Sequence, residues 1–171
     1  SFKNTFLYFF SFQGLILYLI TLVFVKSLHE LGHAFVSKYF GCRVSSIGIA
    51  FLVFFPFLYT DTSDAWRLRD HKDRLLINFA GILTELHLAL ISTFLWAILP
   101  DGGLKSVAFF IATTSWISSL AINVSPFMRF DGYYVFSDWL KAENLQPRSF
   151  ALARWQLREI LFGFNHPPPE D

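Results

Sequence analysis

Residues 6–40 read FLYFFSFQGLILYLITLVFVKSLHELGHAFVSKYF. The run from Phe6 to Val25 is almost wholly apolar, and about 20 such residues are enough to cross the hydrocarbon core of a bilayer. The helical pattern does not stop there. It continues through His29-Glu30-Leu31-Gly32-His33 to about Phe40, too far for one upright span, so a break or tilt is expected near Gly14. A cleaved signal peptide fits less well, because the apolar run exceeds a signal-peptide core and no small-residue cleavage site follows it.

The rest of the chain agrees that the solvent is lipid. Of 171 residues, 54% are hydrophobic and 22 are phenylalanine, more aromatic surface than one compact core can bury. A second span is expected from Leu75 to Leu99, closed by Pro100-Asp101-Gly102-Gly103. A third begins near Leu104 and breaks around Pro126, since proline removes a donor and disfavours helix before it. Between the first two spans, residues 44–60 are rich in β-branched and aromatic residues and are interrupted by Pro56, the pattern of two short strands. The expected fold is therefore an all-α membrane protein of three transmembrane helices, with a small β-hairpin between the first two and a broken third helix. The core occupies residues 1–145. Residues 146–171 form an amphipathic helix, from Arg148 to about Phe162, and a Pro167-Pro168-Pro169 tail that should end order.

Charge placement sets the orientation. The balance of 14 basic and 13 acidic residues offers no attraction to nucleic acid. Lys38, Arg43, Arg67, Arg69, Lys72 and Arg74, however, all lie between spans one and two, whereas the opposite side has only Lys3 and Lys105. The basic segment should face the cytoplasm. The third span then returns Asn123 to Asp131 to that same side, the side of His33. Cys42 is the lone cysteine, which excludes an intrachain disulfide and a cysteine-built metal site.

The HELGH stretch carries the chemistry. On a helix, His29 and His33 project to one side and can hold one zinc ion, while Glu30 can reach a water bound to it. A metal so held acidifies that water and polarises a carbonyl, and the carboxylate can carry the proton to a leaving amine. Ionisable residues inside an apolar span are costly, which favours a functional over a merely helix-gluing role. A catalytic zinc needs a third protein ligand. Of the other histidines, His71 lies in a charged loop and His166 in the tail, and Tyr39 stands where a third histidine of the extended soluble motif would be. Two carboxylates remain open: Asp131 at the broken end of span three, and Glu85 inside span two.

HELGH on a membrane helix, followed far downstream by Asn123-Val-Ser-Pro126-Phe-Met-Arg-Phe-Asp131-Gly132-Tyr-Tyr, resembles the site-2 protease family of intramembrane zinc metalloproteases. It is most similar to a bacterial branch of peptide zinc metalloproteases associated with secretion machinery. The resemblance spans about residues 14–145. It implies Zn2+ bound by His29, His33 and Asp131, Glu30 as catalytic base and Asn123 as a substrate-positioning residue. It also implies an edge of the strand pair open to an extended substrate, and a membrane-associated peptide or transmembrane protein as that substrate, cleaved within or beside a bacterial inner membrane; the basic segment puts the site toward the cytoplasmic side. Two positions depart from the pattern. Phe130 replaces leucine before Asp131-Gly132, and Gly81-Ile-Leu-Thr-Glu85 ends in a carboxylate where asparagine is usual. Two other readings stay open here: a different membrane zincin with Glu85 as third ligand, and a non-catalytic scaffold or peptide-export accessory, against which intact Glu30 argues.

Lys26 and Glu85 are not explained by the motif. Lys26 precedes His29, Glu30 and His33 at helical spacing, and counting helical rise from Lys38 and Arg74 puts the two charges at matching depths of about 18 and about 16 Å. They are expected to form a buried ion pair. The alternative pairs Lys26 with Glu30 or lets it snorkel to the interface.

Overall fold

The structure, a computed structural model, describes residues 11–52, 55–125, 130–142, 144–164 and 166–169, with backbone alone for residues 52, 55–57 and 120–122. Helix α1 spans Phe12–Tyr39, 28 residues and therefore about 42 Å long. It starts where the Ser11 hydroxyl accepts the Gly14 N–H at 3.0 Å, a side-chain N-cap. No break falls at Gly14 itself, which sits in the first turn with its amide serving the cap. The stretch 6–10 lies outside the described residues. At the other end Gly41 adopts φ +74°, and Gly41 and Cys42 donate to Lys38 and Ser37 at 3.0 and 2.9 Å. This left-handed glycine closure turns the chain out of the helix.

Two strands follow, β1 (Ile47–Leu52) and β2 (Phe55–Thr60), antiparallel with Ile47 opposite Thr60. The hairpin is pinned to α1 where Thr60 Oγ1 donates to the Glu30 carbonyl at 3.0 Å. A 3-10 turn at Ser63–Arg67 tucks Ala65 against Cys42 and Ile77, with Val36, Phe40 and Leu68 around them. Helix α2 (His71–Ile98) begins with the Asp70 carboxylate accepting the Lys72 N–H and ends ahead of Pro100. Helix α3 (Gly103–Trp116) passes into a π-helical segment, Ile117–Asn123. The three helices pack on one another, and a short helix α4 (Asp131–Leu140) docks on α2.

Burial runs inside out. Along α1 the covered stripe is Gly14, Thr21, Val25, His29, His33 and Ser37, whereas Leu15, Ile16, Leu19, Ile20, Val23 and Phe24 are exposed. Polar and small residues mediate helix contact and the apolar ones face outward, as lipid solvent requires. Both α1 and α2 are long and apolar enough to cross a membrane.

Two elements depart from the sequence expectation. Helix α4 lies between the third span and the C-terminal helix, where no separate element was expected. The C-terminal helix α5, Leu145–Phe162, starts earlier than Arg148, because Pro147 in a first turn gives up an N–H that has no helical partner anyway. Just ahead of the proline run, Trp155 Nε1 donates to the His166 carbonyl at 2.9 Å, and the His166 N–H donates to Glu159.

Candidate metal centre

His29 and His33, four residues apart on α1, place their rings edge to face with centroids 4.9 Å apart. Each is oriented through its far nitrogen. His33 Nδ1 meets the Ile77 carbonyl at 2.8 Å, and His29 Nδ1 meets Glu85 Oε1 at 3.0 Å. A carbonyl and a carboxylate accept hydrogen bonds, so a proton on each Nδ1 satisfies both and leaves the lone pair of each Nε2 for a metal ion. Those lone pairs converge. His29 Nε2 is 3.2 Å from His33 Nε2, and Asp131 Oδ2 lies 2.8 and 3.3 Å from the two.

Three such atoms in mutual contact form a position that a metal ion could occupy. In a tetrahedral zinc site with bonds of about 2.0–2.1 Å, neighbouring ligand atoms sit about 3.3 Å apart; two of the three separations, 3.2 and 3.3 Å, match that edge length, and the third, 2.8 Å, is shorter. The donor set of two imidazoles and a carboxylate is also the three-ligand kind that leaves a fourth position for water. Among the described residues, His29, His33 and Asp131 are the group able to hold a metal ion.

Room for the centre comes from α2. A Cβ added at Gly81 would overlap the His29 ring and His33 Nε2, so this glycine lets the second helix approach the imidazoles. Gly132 acts alike behind Asp131, where a Cβ would overlap Asn123 and Val124 backbone. Glu30 is half-buried and lines a cleft of about 510 Å³ with His33, Asp131, Thr60, Asn78 and Tyr134. At its rim the Ser63 hydroxyl and N–H hold the Asp61 carboxyl below the usual carboxylate range.

A family profile, that of peptidase family M50, matches residues 15–101. The chain belongs to peptidase family M50. This is the site-2 protease family, and the match takes in both histidines, Glu30, the hairpin and α2. No curated protein and no solved structure matches the chain. Asp131 lies beyond the matched stretch, and only the fold brings it to the M50 motif.

The remaining sequence candidates fall around this centre. Lys26 Nζ lies 2.8 Å from Glu85 Oε1, not on Glu30. Glu85 sits on the Nδ1 side of His29, away from the Nε2 cluster, so it does not share the metal position. Asn123 is 4% exposed and donates to Glu85 Oε2 at 2.9 Å. Sequence reading gave Arg74 no role at the centre and passed over Asn78 and Asp138. Arg74 and Asn78 donate to the Asp138 carboxylate at 3.0 and 2.8 Å, clamping α4 and thereby Asp131 onto α2. The signal was legible: Arg74, Asn78, Gly81 and Glu85 form one polar and small stripe along α2.

Proposed function

We propose that this M50 peptidase is an intramembrane zinc metalloendopeptidase. The observation that carries the reading is the convergence of His29 Nε2, His33 Nε2 and Asp131 Oδ2 within 3.3 Å of one another. A zinc ion held by these atoms supplies a Lewis acid for the scissile carbonyl and an acidified water. Glu30, next to His29 and lining the cleft, takes the proton as the water oxygen attacks the carbonyl carbon, and passes it to the amine nitrogen when the C–N bond breaks. Strand β2, whose Leu58, Tyr59 and Thr60 line the same cleft, offers its edge to an extended substrate backbone.

The substrate is a membrane-associated peptide or a transmembrane segment. Helix α3 and its π-helical continuation run unbroken from 103 to 123, about 30 Å, and this supports a third crossing. The basic α1–α2 connection supports a cytoplasmic site in a bacterial inner membrane, with secretion machinery as the source of substrate.

Zinc content and peptidase activity of the detergent-solubilised chain test the reading. Wild type should carry one zinc and cleave a peptide. Glu30→Gln should keep the metal and lose cleavage, because Glu30 is a base and not a ligand. Cleavage by Glu30→Gln at the wild-type rate would refute the mechanism.

A further inference from the structure

Glu85 is 0% exposed in the middle of α2, a position where a lone charge is strongly disfavoured. It is far from alone. Oε1 receives Lys26 Nζ at 2.8 Å, His29 Nδ1 at 3.0 Å and Ser118 Oγ at 3.1 Å, while Oε2 receives Asn123 Nδ2 at 2.9 Å. These donors come from α1 and from the π-helical segment, so one carboxylate joins all three packed helices. Every contact is a donor, which makes Glu85 an acceptor throughout.

We propose that Glu85 is a positioning residue that fixes the His29 imidazole for metal binding, and that Lys26 serves to balance its charge. The inference rests on the metal-centre reading above. His29 can coordinate through Nε2 only if its proton stays on Nδ1 and its ring stays turned toward Asp131, and the bond to Glu85 Oε1 secures both. Such outer acceptors orient a ligand and raise its basicity. His33 obtains the same service from a neutral backbone carbonyl. The carboxylate on His29 is a stronger acceptor but brings a buried negative charge, and Lys26, one helical turn before His29, cancels it. The pair thus supplies the hydrogen bond without adding net charge beside the metal. Asn123 belongs to this assembly.

The test uses the full chain in detergent, with zinc affinity measured by competition against a chromogenic chelator and apo-protein Tm measured in parallel. Two charge-neutral double variants differ in the Nδ1 acceptor alone: Lys26→Met with Glu85→Gln keeps an oxygen for His29, and Lys26→Met with Glu85→Leu does not. The second should bind zinc about 10- to 100-fold more weakly than the first. The single variant Glu85→Gln, which strands Lys26, should melt lower than the Glu85→Gln double variant while binding zinc comparably. Stability then follows charge balance and zinc affinity follows the acceptor, a separation that a purely structural pair would not produce. Equal zinc affinities in the two double variants overturn the proposal. His29→Ala is the control on the underlying reading. If it keeps zinc, the metal centre itself is wrong, whereas if it loses zinc and the double variants bind equally, only the role of Glu85 fails.

Discussion

Both imidazoles of the centre can give an Nδ1 proton away from the cluster, one to the Ile77 carbonyl and one to Glu85, and this leaves the two Nε2 atoms, 3.2 Å apart, as the pair that a zinc ion would join. Replacing His29 or His33 by alanine should therefore abolish zinc binding, read as metal content after desalting. A less obvious change is Gly81→Ala. Its methyl group would occupy the space of the His29 ring and His33 Nε2, and because backbone cannot yield as a side-chain tip does, the rings must move. Zinc content should fall to the level of the histidine variants while the helical circular dichroism persists; full zinc occupancy in Gly81→Ala would show that the helices part easily. At this scale the sequence was informative where chemistry repeats at helical spacing, as in His29 and His33. It was less so for Asn123, whose side chain turns to Glu85 for reasons visible only once three helices are packed.

Asp131 owes its place to an element, because it opens α4 and moves wherever that helix goes. The ten residues of α4 are too few to hold a helix unaided, and the clamp that fixes it joins residues 64 apart in sequence: Arg74 Nε and Asp138 Oδ1 at 3.0 Å. Asn78 completes the carboxylate, and Arg74 also lies over the Trp66 ring at 4.8 Å. Removing one partner of so covered a pair leaves the other charge stranded, at about 3 kcal/mol. Arg74→Met should therefore lower stability by that amount and weaken zinc binding through Asp131, although Arg74 touches no ligand atom. Arg154→Met on exposed α5 should change stability by less than about 0.5 kcal/mol and leave zinc affinity as it is. Equal effects of the two would deny the clamp. Hydropathy sufficed for α1 and α2, and β-branched content for the hairpin, since these patterns are local. The π-helical segment and α4 were not legible, because both are held by long-range partners and not by their own periodicity.

For the molecule as a whole, the arrangement of buried polar stripe and apolar exterior makes sense in a bilayer, and the distribution of basic residues is the ground for the proposed orientation. Lys38, Arg43, Arg67, Arg69, Lys72 and Arg74 sit on the α1–α2 connection, and charge of this sign is retained on the cytoplasmic side. If α2 crosses, the turn at Gly102 emerges on the opposite face. If residues 103–123 cross back, α5 returns to the cytoplasm beside the cleft. Three single cysteines separate these steps, introduced into a chain whose own Cys42 is buried and replaced by alanine. Ser63 is exposed, Gly102 has open space around an added Cβ, and Ser149 is exposed on α5. With a membrane-impermeant maleimide, Ser63→Cys and Ser149→Cys should react only from the cytoplasmic side and Gly102→Cys only from the far side. Reaction of Ser63→Cys from outside would invert the topology and put the cleft on the other face. Reaction of Ser149→Cys and Gly102→Cys from the same side would leave the third segment within one leaflet, and Asp131 would then have to reach the histidines from the face opposite to Glu30's cleft, which the packing of α4 on α2 does not allow.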